Sequence, residues 1–209
     1  MINADPMHET AIEHLVNSDK VLARLIRKVG PCELKSRRRH TPFRSLVRAV
    51  AHQQLNGTAA TTILNRVIAL YPDRTFPTPE DLLATPDRRL RGAGLSRAKT
   101  AAVKDIAAKT IEGVVPSSRV IARLSNEEIV ERLTVIRGVG PWTVEMLLIF
   151  TLGRLDVLPA TDFGVRKGFA VTYKRKGLPE PAELLEHGER WRPFRSVAAW
   201  YLWRALDGK

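Results

Sequence analysis

Gly138, Val139, Gly140 and Pro141 form a turn between two apolar-patterned runs, and an aspartate, Asp162, follows twenty-two residues after Gly140. Without a Cβ, Gly138 and Gly140 can adopt positive φ and bring backbone N–H groups against a phosphate oxygen. Pro141 fits the first turn of an outgoing helix, whose unsatisfied N–H groups and positive dipole end favour an anion. Leu133, Ile136 and Val139 supply an apolar anchor, and Trp142 and Thr143 emerge where that helix begins. An ordinary helix corner uses the same glycines, so the turn by itself permits contact with an anion and specifies neither that contact nor a reaction. Asp162 supplies the reactive group. It follows Pro159-Ala160-Thr161 and precedes an amphipathic run containing Val165, Phe169 and Val171, the setting of a helix N-cap worth about 1 kcal/mol. A carboxylate at the positive end of a helix is favoured as the anion. Such an anion can stabilise a developing positive charge or orient an attacking water.

The remaining chemistry-bearing residues narrow the choice. Aromatics are 6% of the chain, yet Trp142, Phe163, Trp200, Tyr201 and Trp203 fall near these motifs, and electron-rich rings attract a cationic ligand. Trp200 and Tyr201 read as core or surface. The five histidines show no acid–base or metal-ligand spacing, and no HExxH, CxxC or paired-carboxylate motif occurs, so neither a cofactor nor a catalytic metal is expected. His52 reads as structural. The single cysteine, Cys32, excludes an intrachain disulfide and reads as a small, buried or partly exposed side chain. Lys and Arg number 34 against 22 Asp and Glu, a net charge of +12 that calls for a polyanionic partner. With no long apolar span or signal peptide, that partner is nucleic acid and not a membrane. A monomer in the cytoplasm, acting at the nucleoid, is the expectation.

Helical punctuation runs through the chain and nothing alternates with a strand period, which predicts an all-α fold. Residues 10–29 should form two short helices broken near Asn17 and Ser18. The basic stretch Lys35 to His40 reads as an exposed loop. Thr41 caps a helix with Pro42 at its first position, running to about Ala51, and after a break near Asn56 and Gly57 another covers Thr58 to Leu70. Thr78-Pro79 and Thr85-Pro86 should each open a short helix, and Ser96 to Glu112 another, closed by Gly113. Ser125 and Glu128 spell a capping box. Pro141 to Leu152 is the outgoing helix, Thr161 or Asp162 caps the next, and Pro193 opens the last, to about Leu206. The segment Leu90 to Ser96, LRGAGLS, repeats the hairpin's glycine spacing without its proline or capping box and reads as a plain corner. Two helical lobes flanking a groove are expected, one from 42–155 and the other from 1–41 with 156–209.

Three blocks, PFRSLVRAVAHQQLN, IRGVGPWTVEMLLIF with LPATDFGVRKG, and ERWRPFRSVAAWYLW, span Pro42 to Leu206. In this order they resemble the 3-methyladenine (alkylpurine) DNA glycosylases of the helix-hairpin-helix superfamily. The resemblance implies a two-lobed helical glycosylase with Asp162 as the catalytic aspartate. It implies that Trp203 lines the base pocket, that Phe163 flanks the aspartate, that Trp142 faces the lesion and that Gln53 lines the site. Gln54 or Leu55 would be the wedge that fills the space left by a flipped base. Gly138, Val139, Gly140 and Thr143 would grip DNA, with a monovalent cation bridging the Gly138 and Gly140 carbonyls to phosphate. Arg137, Arg166, Lys167 and the Arg190, Arg192, Arg195 group are further phosphate contacts by charge.

Strand-cutting relatives place a lysine where this chain has Trp142, and the iron–sulfur members need cysteines that are missing. A monofunctional enzyme is therefore implied, acting on double-stranded DNA that contains alkylated bases. A purine methylated at N3 or N7 already carries positive charge and departs as a neutral base without protonation. Another lesion (ethenoadenine, hypoxanthine or a mismatched base) and a non-catalytic hairpin DNA-binding protein are the alternatives.

Overall fold

The computed structural model describes residues 6–36, 40–55 and 57–207; Arg37, Arg38 and Arg39 of the basic loop and Asn56 of the expected break lie outside them. The described residues form thirteen α-helices with no strand among them, as the helical punctuation predicts. The chain divides into two compact units, Arg37–Leu152, and Met1–Ser36 with Gly153–Lys209.

The first of these units contains α3 (Pro42–His52), α4 (Gly57–Ile68), α5 (Pro79–Ala84), α6 (Asp87–Gly92), α7 (Arg97–Ile111), α8 (Ser118–Ile121), α9 (Asn126–Thr134) and α10 (Pro141–Leu147). Local chemistry sets most of these starts. The Thr41, Thr78, Ser96 and Ser125 side chains each accept the N–H three residues on, and Thr78–Asp81 and Ser125–Glu128 close reciprocal boxes. Thr85 departs from expectation. Its hydroxyl donates to the Asp81 carbonyl at 2.8 Å and meets the Tyr71 hydroxyl at 2.7 Å, so it ends α5, and α6 starts at Asp87 with Pro86 before it and no side-chain cap. α10 also ends early, at Leu147, and continues as a π-helical turn through Leu148–Leu152 before Gly153 turns at φ 68°. The α6–α7 corner is the LRGAGLS echo, with Gly94 at φ 112° packed against Ile63. α7 packs on both α3 and α5, and α10 on α3 and α9, around Leu46, Val50, Leu90, Ile106, Ile129, Leu133 and Val144.

The second unit joins α1 (Pro6–Ser18) and α2 (Lys20–Val29) to α11 (Phe163–Thr172), α12 (Pro181–Gly188) and α13 (Arg195–Arg204). Pro193, expected to open the last helix, precedes it instead: the Arg192–Pro193 peptide is cis and α13 begins at Arg195. α11 crosses α13 with almost no space between their backbones, because a Cβ on Gly168 would overlap the Leu202 carbonyl. Cys32 is buried here.

The α1–α2 break falls at Asp19, next to Asn17 and Ser18 as expected, because Asp19 Oδ1 caps α2 by accepting from the Val21 and Leu22 N–H groups. Its other oxygen is equally committed. Oδ2 accepts from the Tyr173 hydroxyl at 2.6 Å, the Trp191 indole N–H at 3.1 Å and His187 Nε2 at 3.2 Å. One carboxylate thereby ties the α1–α2 junction to the end of α11, to α12 and to the turn after it. Burial would push the Asp19 carboxyl up. Hydrogen bonds from His187, Tyr173, the Leu22 N–H and Trp191 outweigh burial and hold it well below the usual carboxylate range. A carboxyl depressed on folding contributes stability above its unfolded value of about 3.9, and that contribution is lost as pH falls toward the folded value. Asp19→Asn, which sets an amide against three donors, should therefore cost roughly 1–3 kcal/mol at pH 7. The gap from wild type in urea melts should narrow below about pH 4.

Candidate functional site

Asp162 stands immediately before α11, and two groups fix its Oδ1: the Val165 N–H at 2.8 Å and the Trp203 indole N–H at 2.8 Å. The first makes Asp162 the N-cap, resolving the choice between Thr161 and Asp162. The second comes from α13, forty-one residues away in the chain. The segment leading to Asp162 is pinned to the start of α13. Ser196 Oγ accepts from the Val157 N–H and donates to the Arg154 carbonyl, and Asp156 receives the Arg195 guanidinium at 2.7 and 3.1 Å. Both ends of the aspartate's setting therefore rest on α13.

Trp203 was expected as a pocket wall; its polar edge is turned to the aspartate. Gly164 makes room for it, since an added Cβ would lie 2.8 Å from Trp203 Cδ1 and 3.0 Å from both Trp203 Nε1 and Asp162 Oδ1. Gly164, Gly168 and Ser196 were not among the sequence-based site residues. The spacing of two glycines four apart in GVRKG was the available signal for a close helix crossing. Phe163 projects into solvent, 63% exposed, with the Lys167 ammonium 5.7 Å from its ring centre. Trp200 and Tyr201 are buried, and the Tyr201 hydroxyl donates to the Gly30 carbonyl.

The hairpin lies in the other unit. Its anchor is as expected: Leu133, Ile136 and Val139 are buried. The two glycines differ. Gly138 has φ 77° and a Cβ there would meet Ala102 Cβ at 2.8 Å, whereas Gly140 is extended (φ −97°, ψ 175°) with open space around it. Gly140 caps α10 without any side-chain hydrogen bond, so a first turn begun by Pro141 presents backbone alone.

Gln53 and Thr143 face inward instead of offering free polar groups. The Gln53 amide donates to the Gly138 carbonyl at 3.0 Å and to Thr143 Oγ1 at 3.1 Å, and Thr143 is buried. Gln53 therefore braces the hairpin against the loop after α3. The end of α3 is braced too. Lys99 Nζ donates to the Ala51 carbonyl at 2.8 Å, and burial holds its ammonium below the usual lysine range. His52 Nδ1 lies 2.8 Å from the Arg48 carbonyl and, since a carbonyl only accepts, donates to it. Gln54 occupies the left-handed region at φ 57°, and Leu55 and Trp142 are exposed. With His52 and Gln53 these three line an open cavity of about 520 Å³.

The Gly138 carbonyl accepts from Gln53 and the Gly140 carbonyl from the Val144 N–H; a carbonyl oxygen has two lone pairs, so these bonds are compatible with the cation implied by resemblance. Several cations read as phosphate contacts have protein partners: Arg166 donates to the Pro179 carbonyl, Arg192 and Arg195 pair with Asp156 and Glu189, and Arg190 reaches the His187 carbonyl. Arg137 and Lys167 are exposed.

An all-helical chain with a buttressed Gly-Val-Gly hairpin and a helix-capping aspartate has the parts of a helix-hairpin-helix base-excision protein. Residues 47–193 match the model of the HhH-GPD superfamily of base excision DNA repair proteins, and the chain belongs to that superfamily. It is 43% identical to DNA-3-methyladenine glycosylase 1 of Schizosaccharomyces pombe over 91% of this chain and 84% of the relative. It superimposes on a structure of 3-methyladenine DNA glycosylase from that yeast in complex with abasic DNA, with TM-score 0.86 and 42% identity over 93% of this chain and 95% of the other. The crystal structure of a Bacillus halodurans DNA-3-methyladenine glycosidase gives TM-score 0.84 and 32% identity, covering 95% of this chain and 89% of the other.

The contrast between the two hairpin glycines has a direct consequence. Gly138→Ala should lower stability by about 1–2 kcal/mol, the cost of a side chain in the left-handed region, or more if Ala102 cannot yield. Gly140→Ala should leave the urea midpoint unchanged.

Proposed function

We propose that the chain is a monofunctional DNA glycosylase. It turns an alkylated purine of the 3-methyladenine or 7-methylguanine type out of duplex DNA and hydrolyses its N-glycosidic bond, opening base-excision repair at the nucleoid. The observation that carries this reading is the Asp162 carboxylate, fixed by the Val165 N–H and the Trp203 N–H at the start of α11, in a chain with tryptophan at position 142. The names of its relatives point to the same substrates.

In this reading the hairpin backbone from Gly138 to Gly140 holds a phosphate, and open space at Gly140 lets the strand approach. Exposed Gln54 or Leu55 fills the vacated stack. Phe163 is an exposed ring beside Asp162, and such a ring attracts a cationic base more strongly than a neutral one. The bond from C1′ to the base nitrogen then breaks with its electron pair leaving on the base. Because the alkylated base was cationic, it departs neutral. Positive charge passes to the sugar, where the Asp162 carboxylate stabilises it. Water adds its oxygen to C1′ and gives up a proton, for which Asp162 is the acceptor. Trp142 has no amine to replace that water, so the strand stays continuous. The protein acts as a monomer on double-stranded DNA.

A release assay on DNA methylated at random, with each freed base resolved, tests the substrate class. Intact alkylated DNA after incubation would favour a non-catalytic hairpin protein, and release of hypoxanthine or ethenoadenine alone would reassign the lesion. Asp162→Asn keeps the cap oxygen but loses the charge. It should reduce release by at least a hundredfold while binding of lesion DNA persists. Gly140→Ala should weaken binding to damaged and undamaged duplex alike, in titrations whose affinity falls as salt rises. Borohydride should trap no protein–DNA adduct, and strand breaks should appear only after hot alkali; efficient trapping through one lysine would overturn the monofunctional reading.

A further inference from the structure

We propose that Trp203 is the positioning residue of the Asp162 carboxylate and that Gly164 is the residue that admits it, an inference that rests on Asp162 being the catalytic group. The terminal torsion of an aspartate is broad, so one hydrogen bond leaves its carboxylate plane free to swing. The Val165 N–H alone would give Asp162 that freedom. A second donor from a different helix, the Trp203 N–H at 2.8 Å on the same Oδ1, removes it. With Oδ1 held from two directions, the direction of Oδ2 is set before substrate arrives, and catalysis by a fixed charge depends on such preorganisation.

Position 203 needs an indole for this task. Phenylalanine would offer the same kind of ring face without a donor, and an indole nitrogen only donates, so it cannot compete with the carboxylate for a proton. Position 164 needs the absence of a side chain for a different reason. Its backbone is not left-handed, so the glycine is not required for conformation. What it provides is space, since a Cβ would fall 2.8 Å from Trp203 Cδ1 and 3.0 Å from Trp203 Nε1. Alanine there must push the indole away from the aspartate, although alanine is the better helix former by roughly 1 kcal/mol. Gly168, one turn further on, brings α13 close enough for the tryptophan to reach.

The test uses Trp203→Phe and Gly164→Ala in the full chain, with Asp162→Asn alongside. Single-turnover release is measured from a duplex with one 7-methylguanine. Affinity is measured for two abasic-site duplexes, one with a neutral tetrahydrofuran and one with a cationic pyrrolidine in place of the sugar. Both variants should slow release by roughly tenfold to a hundredfold, the scale expected when a reacting group is misplaced by about an ångström. Both should lose affinity for the pyrrolidine duplex while binding the tetrahydrofuran duplex within twofold of wild type, a split that simple loss of packing would not produce.

Release within twofold of wild type in Trp203→Phe would overturn the inference. So would equal losses on both abasic duplexes, which would make the indole a wall of the site and no more. If Trp203→Phe fails to fold, Gly164→Ala decides alone by the same readings. An active Asp162→Asn would instead remove the catalytic reading beneath the proposal, and the two failures are thereby distinguished.

Discussion

The carbonyl oxygen of Leu202 occupies the space where a side chain at position 168 would begin. This contact between a glycine and a backbone group brings α11 and α13 together, and the arrangement around Asp162 depends on it. With the two helices at this distance, Trp203 reaches past Gly164 to donate to Asp162. The same helix, α13, holds the preceding segment through Ser196 and Arg195. A larger residue at 168 would separate the helices and remove the second donor while leaving the N-cap intact. The close approach, more than the cap, distinguishes this aspartate from the many that merely start helices.

The hairpin unit relies on buttressing of a different kind. Its turn has no side chains with which to stabilise itself, and its rigidity is supplied from the loop after α3 through the Gln53 amide. Lys99 fixes the carbonyl just upstream. Polar groups that a sequence reading assigns to DNA thus serve the protein first. The pairing of Arg192 and Arg195 with Asp156 and Glu189 repeats the pattern. Charge needed to rigidify one part of the chain is not free to neutralise phosphate, so the count of 34 Lys and Arg overstates the cations available to a partner.

What could be read directly from the chain was local. Thr41, Thr78 and Ser125 cap the helices they were expected to cap because the interaction spans only three residues. Thr85 was misread because its hydroxyl had two local choices, and the Tyr71 hydroxyl, fourteen residues away, lies with it on the other side. The early end of α10 was invisible for a similar reason. A π-helical turn keeps an apolar pattern running through Leu152, and there Thr151 meets Ser45 from α3.

The sequence by itself determined the all-helical class, the hairpin with its apolar anchor, a helix cap at Thr161 or Asp162 and the tryptophan at 142. Each of these depends on residue identity or on spacing within a turn or two. Only the tertiary structure decided that Trp203 donates to Asp162, that Gln53 serves the hairpin, that Gly138 and not Gly140 is needed for backbone conformation, and that Asp19 gathers Tyr173, His187 and Trp191. Those facts join residues from about forty to more than one hundred and fifty positions apart, or depend on a φ angle that packing imposes. A hydrogen-bonding side chain has several partners within reach of its chemistry, and until the helices pack nothing in its own neighbourhood selects among them.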